Sequence, residues 1–178
     1  MNQHSPQDYH QVSNSVDPDT HSAPSSSSSI GDLADSNSCQ QLQLRLRQGE
    51  LLVINPRRKN GLILYKTYHA EFAGPGAIIG GQFDLDVDRF LAVGNLSLVT
   101  PSNPQARKQA YKMRRQWVKL TKQIIDNPLP TERAQVILNQ FEHWFDIETV
   151  AELPDEAFAL MVGVLPQTIR KVRNIELL

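Results

Sequence analysis

The sequence predicts an α+β fold, and three observations carry that expectation. Residues 40–100 hold short apolar or alternating runs, cut every few residues by Gly, Pro and Asn-Gly turn signals. Residues 104–174 switch to apolar residues at three-to-four spacing, the period of amphipathic helices. Residues 1–38 hold few apolar residues, too few to repay the entropy of ordering. The expected layout is a disordered polar tail over 1–38, a small, mostly antiparallel β-rich domain over 40–100, and a helical region over 104–178. The last region ends in a two-helix hairpin over 155–174.

The tail contains an unbroken serine run, Ser25 to Ser29. It reads as a solubilising leader more readily than as a phosphorylatable or autoinhibitory arm. His4, His10 and His21 stand six and eleven residues apart, which matches no ordinary metal set.

In the β-rich part, Leu42, Leu44 and Leu46 alternate with polar residues and suggest a strand. Leu51 to Ile54 suggests a second, and Leu62 to Tyr68 a third after the Asn60-Gly61 turn. The glycines Gly74, Gly76, Gly80 and Gly81 fit neither a dinucleotide fingerprint nor a P-loop, and read as bends. Asp84, Asp86 and Asp88 begin like a calcium loop. The pattern fails at Arg89, where glycine is needed, and at Asn95, where the last carboxylate is needed. On a strand they would form a wet acidic face. Phe90 to Val93 and Leu96 to Val99 suggest a final hairpin around Gly94-Asn95, giving about five short strands in all.

Pro101 and Pro104 open the helical region. Ala106, Ala110, Met113, Trp117, Leu120 and Ile124 form one apolar stripe of a long helix, widened by Tyr111, Val118 and Ile125. The other face carries Arg107, Lys108, Lys112, Arg114, Arg115, Lys119 and Lys122, with no acid before Asp126. Such a face suits phosphates, an anionic membrane surface or plain solvent, the membrane least because Trp117 and Met113 are natural core residues. A second helix, capped by Thr131, is expected to run to about Phe145, and a short one from Glu148 to Leu153.

Composition narrows the classes. The 178 residues, 40% hydrophobic, can build a core. No apolar run approaches a membrane span, and the N-terminus lacks the pattern of a secretory signal. Cys39 is the only cysteine, so a reducing, cytoplasmic setting is expected. The net charge of −1 conceals a segregation. Residues 1–44 hold five acids and no Lys or Arg, while the rest hold 18 bases against 14 acids. No nucleophile is paired with a base, His69 and Glu71 being neighbours in sequence only. No enzyme, cofactor or metal site is expected.

The terminal stretch, DEAFALMVGVLPQTIRKVRN, resembles the helix-turn-helix of DNA-binding proteins. A small residue (Ala159) lies four before a glycine turn (Gly163), and two branched residues (Ile169, Val172) anchor the second helix. The departure is Leu165 at the second helix's N-cap, where Ser or Thr is usual. The resemblance covers about twenty residues and implies a regulator of duplex DNA, plausible as a homodimer. Base-edge contacts would come from Gln167, Thr168, Arg170, Lys171 and Arg173. Phosphate contacts would come from Arg107, Lys108, Arg114, Arg115 and Lys122, with Arg58 a further candidate. The alternative is a non-enzymatic adaptor or assembly factor whose basic helix meets an acidic protein partner.

Overall fold

The structure, a computed structural model, describes residues 36–176. Its architecture is α+β. The tail expected over 1–38 lies outside the described residues except for its last three.

Those three begin a helix. Residues 42–46 do not form the expected strand: they belong to α1, Ser36–Arg47. Leu42 and Leu46 are buried four residues apart, whereas Leu44 is 59% exposed. That is helical spacing, and the Gln, Leu and Arg of the segment are good helix formers.

Six strands follow: β1 (Leu51–Ile54), β2 (Gly61–Lys66), β3 (Ala70–Ala73), β4 (Ile78–Gly80), β5 (Val87–Val93) and β6 (Leu98–Val99). They form two antiparallel three-stranded sheets, ordered β4-β1-β6 and β3-β2-β5. The hairpin expected around Gly94-Asn95 does not form. β5 pairs with β2, and β6 crosses to β1. Asn60 guides that crossing. Fully buried, it donates to the Asn55 and Arg58 carbonyls and accepts from the Ser97 amide.

β2 is the spine of the molecule. Its run is buried on both faces, and alternation sends its side chains to two cores. Leu62 and Leu64 join Leu52, Ile54, Ile79, Leu98 and the α1 leucines between the sheets. Ile63 and Tyr65 join Phe72 and the helices. Gly80 is needed where β4 ends. Its φ is +88°, and a Cβ there would run into the Glu50 carbonyl oxygen. Gly81–Asp84 then makes a 3-10 turn, so Asp84 is buried rather than on a wet strand face.

Five helices complete the chain: α2 (Pro104–Ile125), α3 (Pro130–Trp144), α4 (Ile147–Glu152), α5 (Asp155–Val162) and α6 (Pro166–Glu176). Asn103 caps α2 by accepting from the Ala106 amide at 2.8 Å, and Pro104 suits its first position. α3 starts at Pro130, with Leu129 and not Thr131 at its N-cap. Asp146 caps α4. The helices and the second sheet share one aromatic core. Phe72 of β3 meets Phe141 at 4.8 Å, Trp117 at 5.3 Å, Phe145 at 5.9 Å and Trp144 at 6.0 Å. Pro101–Pro104 thus marks a change of secondary structure while packing runs across it. No helix among the described residues is long and apolar enough to cross a membrane.

Candidate functional site

The terminal hairpin forms because its local signals agree. α5 ends at Gly163, whose φ of 65° and ψ of 48° lie in the left-handed region that favours glycine. The Gly163 and Val164 amides both donate to the Ala159 carbonyl, closing the end of α5. Pro166 then starts α6, with the Thr168 amide donating to the Leu165 carbonyl at 2.9 Å. Leu165 is 68% exposed and provides no side-chain acceptor. Ala159, Ile169 and Val172 are buried, as the spacing requires.

The opposite face of α6 is open. Gln167, Arg170, Lys171 and Asn174 are exposed at steps of three, one and three, so they form one stripe. Thr168 is half-buried at its edge. Arg170 keeps an exposed ion pair, Nε to Asp155 Oδ2 at 3.2 Å. Arg173 turns the other way. Its Nη2 donates to the Leu153 carbonyl at 2.9 Å and the Val150 carbonyl at 3.3 Å. Its guanidinium stands 5.1 Å from the Phe158 ring. Arg173 therefore ties α6 to the end of α4 and does not belong with the base-edge candidates. Its donors already serve the Leu153 carbonyl and the Val150 carbonyl, the latter shared with the Leu153 amide.

The basic helix α2 also divides. Arg107, Lys108, Lys112, Arg115, Lys119 and Lys122 are exposed. Arg114 is not, so the phosphate contact expected of it does not hold. It is 8% exposed, and its Nη2 lies 2.6 Å from Glu71 Oε2 and 3.1 Å from Asp84 Oδ1. Lys66 completes the cluster, 3.6 Å from Glu71, 3.0 Å from Asp86 and 2.8 Å from the Phe83 carbonyl. This network was missed by residue spacing because its members come from four separate elements. Arg58 is exposed in the loop between β1 and β2, with Arg57 and Lys59.

Burial works against the charge on Glu71. Arg114, by charge and by hydrogen bond, with Lys66 and His69, nevertheless draws its carboxyl below the usual range. Asp84 goes the other way. Burial lifts its carboxyl, and Arg114, the Gly80 amide and Lys66 hold back only part of the rise. The signs give a pH dependence. Glu71 binds protons less readily folded than unfolded, so its stabilisation is present above its unfolded value, ~4.3, and is lost as pH falls through its folded value. Asp84 has a raised folded value, so acidification relieves its cost. Glu71→Gln removes the first contribution and, because the Glu71 charge is among the causes that raise Asp84, also eases the second. Wild type should therefore lose more stability than Glu71→Gln on acidification from about pH 7 to about pH 3, read as urea midpoints.

Two cavities border α2. The larger, about 770 Å³, is lined by Ile78, Phe83, Tyr111 and Val118 and edged by Lys112, Arg115, Lys119 and Lys122. The smaller, about 260 Å³, lies between the β2–β3 turn, Lys122 and Ile125 of α2, and Met161 and Gly163 of the hairpin. Both share Glu71, Val118 and Lys122. The cationic flank of α2 thus leads to the turn that precedes α6. Arg107 and Lys108 lie farther off, Lys108 about 21 Å along the helix from Lys122 at 1.5 Å per residue.

His69 Nε2 stands 3.2 Å from Glu71 Oε1, and Thr121, which lines the smaller cavity with them, donates back to the Trp117 carbonyl. Among the described residues no group of three or more His, Cys, Asp or Glu is placed to hold a metal. No protein-family model, curated protein or solved structure matches this chain.

Proposed function

We propose that this protein is a non-enzymatic regulator that binds duplex DNA through the α5–α6 hairpin. The observation that carries the reading is the stripe Gln167, Arg170, Lys171 and Asn174. It is exposed and hydrogen-bonding along its whole length, on a helix anchored from behind by Ile169 and Val172. A helix of this kind fits the major groove, where Gln pairs with adenine edges and Arg with guanine edges. Thr168 serves at the edge of that contact. Arg115 and Lys122, on the flank that leads to the turn, supply phosphate contacts; Arg107 and Lys108 reach phosphates farther along. One hairpin reads a short half-site, so specific binding calls for a homodimer.

The test uses a duplex selected by the full-length chain from random sequence, with binding read by fluorescence anisotropy against competitor DNA. Arg170→Ala should weaken specific binding by about 1–3 kcal/mol and relax preference at one base pair. Lys122→Ala should weaken all duplexes alike and reduce the salt slope by about one. Salt-independent behaviour, or an Arg170→Ala/Lys171→Ala protein that binds like wild type, rejects the assignment. In that case the exposed Val118 and Ile125 beside the α2 cations favour the adaptor reading, with an acidic protein as partner.

A further inference from the structure

The groove along α2 has properties that DNA contact does not use. Tyr111, Arg115, Val118 and Lys122 recur at steps of four, three and four, so one flank of α2 alternates apolar and cationic side chains. That flank touches the sheet through Tyr111, which packs beside Val53 and Ile78. It faces Ile78 of β4 and Phe83 of the 3-10 turn across the cavity of about 770 Å³. Phe83 is 66% exposed and Val118 41% exposed, while Phe83 and Tyr111 hold each other edge to face at 5.7 Å. The volume falls in the range that encloses a small organic ligand, and an apolar lining with a few placed charges is the usual make-up of such sites.

The charge is one-sided. Of the acids on the lining, Glu71 and Asp84 are both engaged by Arg114. Four further cations, Lys112, Arg115, Lys119 and Lys122, edge the groove, and the salt bridges among the described residues engage none of them. Arg114 adds an unmet demand. Its Nη2 serves the two carboxylates, while its Nη1 is buried with no hydrogen-bond partner among the described residues. An uncompensated buried donor favours the arrival of an acceptor.

We propose that this groove binds an amphipathic small-molecule anion, a carboxylate or phosphate head on an apolar body. The body lies on Ile78, Phe83, Tyr111 and Val118. The head meets Arg115 and Lys122, with Lys112 and Lys119 beside them. Arg115 and Lys122 are shared with the DNA reading, but ligand uptake is measured without DNA, so the two stand or fall separately.

The probes are decanoate and decyl phosphate below their micelle concentrations, with decanol and inorganic phosphate as controls, titrated into the full-length chain by calorimetry. The expected result is one saturable site for both anions, at least tenfold tighter than for either control. Arg115→Glu/Lys122→Glu, both exposed positions, should weaken decanoate by tenfold or more and leave decanol unchanged. Val118→Asp should weaken both. The proposal is overturned by equal affinity for decanoate and decanol, by inorganic phosphate binding as tightly as decyl phosphate, or by charge reversal without effect. Capture by phosphatidylglycerol vesicles with no saturable uptake of monomeric decanoate also overturns it and assigns the surface to a membrane instead.

Discussion

Replacing Arg114 by leucine is expected to cost about 3–5 kcal/mol of folding stability, the range for breaking a buried ion pair from one side. The reason is what the substitution leaves behind. The Asp84 side chain is 2% exposed and the Glu71 side chain 23%. Without the guanidinium, Asp84 keeps the Gly80 amide at 2.7 Å, and Lys66 Nζ stands 3.6 Å from Glu71. One ammonium, already engaged by Asp86 at 3.0 Å and the Phe83 carbonyl, does not neutralise a second and third carboxylate. Asp84 then sits in low dielectric without a cation of its own, and Glu71 is left with His69 at 3.2 Å and a shared Lys66. Urea unfolding of Arg114→Leu against wild type measures the cost directly. The companion triple variant Arg114→Leu/Glu71→Leu/Asp84→Asn removes the stranded charges with the cation. It should recover most of the loss, because replacing a whole buried cluster is often neutral or better. A single variant that costs under about 1 kcal/mol would place the cluster with solvated surface pairs. It would also return Arg114 to the set of free cations on α2.

Arg114 also shows where sequence reading stops. Its position was legible: it stands four after Ala110 and three before Trp117, on the buried side of α2. Its partners were not, because Glu71 and Asp84 lie 43 and 30 residues away. Charge type alone groups Arg114 with Arg115, yet one helical step turns one inward and the other out. Arg173 repeats the lesson on α6, where the carbonyls that claim it lie 20 and 23 residues back. By contrast, the hairpin of Gly163, Pro166, Ile169 and Val172 was readable because every interaction that shapes its turn is local. The strands show both outcomes. β1 and β2 are short apolar runs bounded by turn residues, and their spans were near those expected. The α1 leucines alternated as a strand would, but no β-branched residue and no turn signal stood within the run. Pairing of β5 with β2 and of β6 with β1 depended on long-range register that no local signal encodes.

Phe158→Ala is the second large effect expected, about 3–5 kcal/mol, as for other fully buried aromatic truncations. Phe158 is fully buried on α5, with its ring 5.0 Å from Phe141 of α3 in an edge-to-face pair. On its other side stands the Arg173 guanidinium of α6 at 5.1 Å. One side chain therefore joins three helices, and removing it opens a cavity where they meet. The loss should fall on the hairpin first: hydrogen exchange of α5 and α6 amides should accelerate before that of β2. Phe158→Leu, which keeps much of the volume, should cost less than half as much. The cycle Phe158→Ala, Arg173→Met and their double should be non-additive by about 0.5–3 kcal/mol, because the two groups touch. Additivity within ~0.3 kcal/mol would mean that Arg173 holds α6 through the Val150 and Leu153 carbonyls and the Asp155 carboxylate, 3.5 Å from its Nε, and not through the Phe158 ring. Either result separates Arg173, whose loss weakens the scaffold, from Arg170, whose loss should leave the urea midpoint unchanged and reach only the outer face.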